Sequence, residues 1–153
     1  MDRIKIEQGG WVVVCDGRKA LILENAGDQV FPNLRKREVH EHNDAKTHEQ
    51  GTDAPGRSVN SVGSARSAME QTDWHDEAEK EFLQDLAGRL DVALGAGDAK
   101  SIIIVAPPRA LGVLRAAYSP ALRDAVREEI DKDYVRLPIH EIETHLVGKV
   151  VAL

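Results

Sequence analysis

IIIVAPPRALGVLR, residues 102–115, is a β-branched run halted by two prolines and followed by an apolar, arginine-containing segment. That order reads as strand, tight turn and helix. The apolar run from 101 to 106 shows no alternation of polar and apolar residues. Such a strand is covered on both faces, which places it centrally in a sheet that is at least partly parallel. Loops that cradle phosphate use successive backbone N–H groups at a helix N-terminus, with glycines allowing close approach. Pro107 and Pro108 have no N–H, and neither GxxxxGK[ST] nor GxGxxG occurs in the chain. The prolines therefore stiffen the corner and start the helix, Leu111 and Leu114 pack down, and Arg109 and Arg115 face outward as anion contacts.

Upstream, WVVVCDGRKALILEN (11–25) sets two aliphatic runs on either side of Asp16-Gly17. Asp-Gly supplies the positive φ angles of a two-residue hairpin turn, so the spacing predicts strand, turn, strand. A second turn at 25–28 leads into VFPNLRKREVH (30–40), a third strand weakened by Pro32. Residues 41–70 offer little to bury beyond Val59, Val62, Met69 and a few alanines, which predicts a long mobile loop. Its charges are nearly balanced, with Arg57 and Arg66 as its candidate contacts. From Thr72 the period becomes helical through Trp74, Ala78, Phe82, Leu86, Leu90 and Ala93, until Gly95-Ala96-Gly97 ends it.

Beyond the corner, Ser119-Pro120 is a cap followed by proline at the first helical position. Leu122, Val126 and Ile130 then form an i, i+4, i+8 stripe that predicts a further helix. DYVRL (133–137) reads as a short extended piece. Pro138 opens a last amphipathic helix carrying Ile139, Ile142, Leu146, Val147 and Val150.

The chain has 153 residues, 42% of them hydrophobic, which suits one domain over 1–153. A net charge of −6 gives no global attraction to phosphate backbones, so a nucleic-acid contact has to be local. The single cysteine, Cys15, fits a reducing compartment. MDRIKIEQGG lacks the apolar core of a secretory signal, and no run is long enough for membrane insertion. The expected location is the cytoplasm.

Chemistry-bearing residues are sparse. His40, His42 and His48 lie in or beside the loop without HExxH spacing or cysteine partners, so they read as solvated side chains. His140 and His145, five apart, do not share a helix face. Cys15 has no histidine close by in sequence and reads as a small buried hydrophobe. Asp16 reads as a turn former. No GxSxG elbow is present. No small-molecule cofactor or metal is expected.

The order VVVCDGRKALILEN, a segment carrying GRSVNSV, a long helix, SIIIVAPPRALGVLR, a capped helix and EIDKDYVRLPIHEIETHL resembles the bacterial host-attachment protein family. Its members look like the middle domain of archaeal and eukaryotic class-I release factors. The resemblance runs from about Trp11 to Leu146. It is most specific at Ala106-Pro107-Pro108-Arg109, Leu111-Gly112, Leu114-Arg115, Lys132-Asp133, Pro138, Glu141-Ile142 and His145-Leu146. It implies a ribonuclease H-like α/β fold: an antiparallel three-strand meander, a crossover helix, and the 101–106 strand parallel to the first. Release factors carry Gly-Gly-Gln in the loop before the long helix. This chain has Gly56-Arg57-Ser58-Val59-Asn60 there, so peptidyl-tRNA hydrolysis is not carried over.

The expectation is a non-catalytic binding module. Ribosome or structured RNA is the first candidate partner, contacted through Arg57, Arg66, Arg109 and Arg115. One alternative is a metal-dependent hydrolase using Asp16 or the histidines near His42. The other is a protein-interaction factor contributing indirectly to host-cell attachment.

Overall fold

Five strands form one open mixed sheet in the order β3-β2-β1-β4-β5 in the computed structural model, which describes residues 4–42 and 64–148, the side chains of 64–75 excepted. The strands are β1 (Trp11–Cys15), β2 (Lys19–Asn25), β3 (Leu34–Glu41), β4 (Ile102–Ala106) and β5 (Val126–Asp131). The helices are α1 (Ser64–Ala96), α2 (Pro108–Ala117), α3 (Pro120–Ala125) and α4 (Ile139–Val147). β2 runs antiparallel to both β1 and β3, whereas β4 runs parallel to both β1 and β5. The unalternating run at 102–106 is the buried strand expected, parallel to β1 and flanked on both edges.

Alternation along β1 and β4 divides the core in two. Trp11, Val13, Cys15, Ile102, Ile104 and Ala106 pack beneath Leu83, Leu86, Leu90, Leu111, Leu114 and Leu122 of α1, α2 and α3. Val12, Val14, Ile103 and Val105 point the other way, against Ile6, Val135, Ile142 and Leu146. The result is three layers, with the sheet in the middle.

The β1–β2 turn closes by a different device from the one expected. Among the described residues positive φ occurs only at Gly9, Gly97 and Gly148. Asp16 Oδ1 instead accepts the N–H groups of Arg18 and Lys19, each at 2.8 Å, so the carboxylate closes the turn. A Cβ at Gly17 would lie 2.6 Å from Glu79 Oε1, so the Glu79 side chain would have to shift to admit one. β3 starts at Leu34 rather than 30. Asp28 Oδ1 draws the N–H groups of Val30 and Phe31 into a turn before it, leaving both side chains exposed.

α1 begins at Ser64, eight residues before the expected Thr72. It ends as expected: Gly97 takes φ 80° and Asp98 N–H returns to the carbonyl of Ala93. The expected loop at 41–70 thus gives way to helix from 64. Residues 43–63, with His48 and Arg57, lie outside the described residues. Arg66 falls on α1, and its side chain lies outside them too.

The largest departure follows the corner. The expected helix through Ile130 stops at Ala125, and Val126–Asp131 is strand β5. β4 is fully buried, so the backbone groups along its outer edge need partners, and β5 supplies them. The register slips between Ile102 and Ile103, with Arg127 as the extra residue. That slip reverses the facing of the strand after Val126. Val126 lies on the α2 side while Ile130 reaches the α4 side, so one helix-like stripe serves two opposite layers. DYVRL is a turn rather than an extended piece, with Leu137 N–H bonded to the carbonyl of Tyr134. α4 ends at Val147 with Gly148 at φ 79°, and Val150 lies outside the described residues.

Candidate functional site

β1, β4 and β5 are parallel, so the loops that follow them gather at one edge of the sheet. Crevices beyond the carboxyl ends of such strands are the usual ligand sites of open α/β sheets, where connections diverge to opposite sides. Here β1 leads to β2 on one side and β4 leads to β5 on the other. A cleft of about 450 Å³ opens at that point. Asp16 and Arg18 come from the β1–β2 turn, Pro107 and Arg109 from the corner opening α2, and Arg136 from the turn after β5. α1 adds Asp76, Glu77, Glu79 and Lys80 at the rim, while Leu83, Ala110 and Val113 supply apolar surface.

Half of the rim charge is matched in ion pairs. Arg109 pairs with Asp76 at 2.7 Å, tying α2 to α1, and Arg18 pairs with Glu79 at 3.5 Å. Asp16 spends one oxygen on its own turn. Arg136 and Lys80 have no ion-pair or hydrogen-bond partner among the described residues.

Arg115 lies elsewhere. It sits six residues beyond Arg109 on the same helix, about 9 Å along the axis and 240° around it. Its guanidinium bonds Glu129 Oε1 of β5 at 2.7 Å, and Tyr118 donates to the other oxygen of Glu129 at 2.7 Å. Burial, then the Glu129 carboxylate, holds the Tyr118 hydroxyl above the usual phenol range. Arg123 lies 5.7 Å over the Tyr118 ring, and Arg127 joins it at an open basin of about 460 Å³. α3 is anchored beside it by Ser119, whose hydroxyl accepts the Leu122 N–H and donates to Asp91 on α1. The two outward arginines expected from the sequence are thus split between two sites. Arg18, Lys80, Arg136, Arg123 and Arg127 were not singled out by their sequence. For Arg18 and Arg136 the usable signal was topological, because residues following parallel strands share one sheet edge.

The histidines stay apart. His40 shares Glu38 with Arg89, and His42 meets the edge of Phe82 at 6.4 Å. Among the described residues no group of three or more His, Cys, Asp or Glu is arranged to hold a metal ion. Cys15 is fully buried, and burial, then the neighbouring Asp16 charge, pushes its thiol up to about 12. At neutral pH it remains a protonated apolar side chain.

The Glu38 cluster carries a pH prediction. Burial raises the Glu38 carboxyl, but its bonds to Arg89 and His40 outweigh that and hold it below its ordinary 4.5. A lowered folded-state value means that the contribution is full above the unfolded value and is lost as pH falls through the folded one. Glu38→Gln is expected to cost about 1–2 kcal/mol at pH 7. The gap from the parent should close as pH falls below the ordinary carboxylate value and through the lowered one, which urea titrations across pH will check.

A family model described as "Protein required for attachment to host cells" matches residues 11–146. A search of curated proteins finds no match.

Proposed function

Because the chain belongs to the family of proteins required for attachment to host cells, we propose that it is a non-catalytic binding module for structured RNA, the ribosome included. Its scaffold is read as ribonuclease H-like and similar to the release-factor middle domain. The strand order β3-β2-β1-β4-β5, in which β2 alone is reversed, supports that reading. The observation that carries the RNA reading is the basin at the end of α2, where Arg115, Arg123 and Arg127 lie with Tyr118 beside Glu128 and Glu129, an excess of one positive charge. Arg123 and Arg127 have no carboxylate partner among the described residues, so their charges are available to phosphate. Arginines beside an aromatic face are the local footprint that RNA contact requires in an acidic protein.

Co-sedimentation with ribosomes and filter binding to an RNA hairpin, each across a salt series, will test it. Neutralising two phosphates gives a log–log salt slope of about −1.4 to −1.8. Arg123→Ala with Arg127→Ala should remove most of that slope. Association that is absent, or indifferent to salt and to both substitutions, overturns the reading.

The protein is placed in the cytoplasm, where its contribution to attachment is indirect. The single buried cysteine supports this placement. No helix among the described residues is long and apolar enough to cross a membrane. Recovery in the envelope fraction of lysed cells would overturn the placement.

A further inference from the structure

We infer that the cleft beyond the carboxyl ends of β1 and β4 binds a small organic anion with an apolar body, its charged group held by Arg136 and Lys80. The volume, about 450 Å³, falls within the range of small-molecule sites. Leu83, Ala110 and Val113 give it the apolar surface from which such sites draw affinity.

The sign of the ligand follows from which side chains are already committed. Arg109 satisfies Asp76, Arg18 satisfies Glu79, and the Asp16 carboxylate holds two backbone N–H groups. Arg136 and Lys80 remain without partners among the described residues; of the acids, Glu77 and Asp16 have no ion pair, and Asp16 is turned into its own loop by the two N–H groups it accepts. The two cations without a carboxylate are the groups that a negative group on the ligand would meet. The kind of anion follows from the corner. Pro107 and Pro108 remove two of the N–H donors at the start of α2, which shifts recognition toward side chains. A guanidinium fork suits the paired oxygens of a carboxylate or a phosphate ester.

Amide chemical shifts of the 15N-labelled chain, followed by nuclear magnetic resonance, will test this with adenosine 5′-monophosphate in one arm and phenylacetate in the other. Saturable shifts at Gly17, Ala110, Val113 and Arg136 are expected in at least one arm, and that arm identifies the anionic group. Arg136→Gln should weaken the binding about tenfold, the scale of one charge-assisted contact. Lys80→Gln should also weaken it, whereas Lys36→Gln on β3 should leave it unchanged. No saturable shift with either compound overturns the inference. So do shifts that persist undiminished when Arg136→Gln and Lys80→Gln are combined. The basin at the other end of α2 takes no part, so this failure would be distinct from failure of the RNA reading.

Discussion

Asn25→Ala is expected to destabilise the fold by about 3 kcal/mol and lower Tm by roughly 6–12 °C. Asn25 ends β2 with its side chain 1% exposed, and it joins three separate pieces of chain. Its Nδ2 donates to the carbonyls of Ile6, Glu7 and Asp28 at 2.9, 3.3 and 3.2 Å. Its Oδ1 accepts the N–H groups of Gly27 at 2.9 Å and Asn33 at 2.8 Å. Removal leaves the buried Ile6 carbonyl and four part-buried backbone groups short of partners, and a buried group so left costs about 1–3 kcal/mol. Asn25→Asp separates the two halves of the role. It keeps the acceptor but turns a carboxylate toward three carbonyl oxygens. That variant should be destabilised at neutral pH and should recover part of the loss on acidification, when the protonated acid can again donate. Thermal melts of both variants at several pH values will check this, and parent-like stability of Asn25→Ala would contradict it.

Leu90→Ala is expected to cost about 2–5 kcal/mol, whereas Val92→Ala, two residues along α1, should stay within about 0.5 kcal/mol. Leu90 is fully buried among the residues between α1 and the sheet, while Val92 is 64% exposed. The first change leaves a cavity in a close-packed layer, and the second removes methyl groups already in contact with water. Chemical denaturation with unchanged m-values is the measurement. Equal losses from the two would mean that α1 packs in a different rotation.

Local patterns were legible where one physical effect acted alone. The apolar run at 102–105, the prolines after it and the Ser119-Pro120 cap each have one strong conformational consequence, and the structure shows all three. The stripe Leu122, Val126, Ile130 misled because a helix and a bulged strand can carry the same spacing. Only the open edge of β4 decides between them. Asn25 looked like an ordinary turn residue because two of its partners, Ile6 and Glu7, lie 19 and 18 positions away. The candidate site was legible in part. Arg109 and Arg115 could be placed on an outward surface, but their separation into two sites depends on which neighbours α2 meets along its length.

The sequence by itself determined the mixed α/β class, the buried parallel strand and the stiff corner that starts α2, because these rest on backbone sterics and short-range periodicity. Tertiary structure alone decided the fifth strand, the bulge that turns Glu129 toward Arg115 and Tyr118, and the cleft that gathers Asp16, Arg109 and Arg136 from three loops. Those features depend on contacts between residues far apart in the chain, and such contacts leave no local period to read.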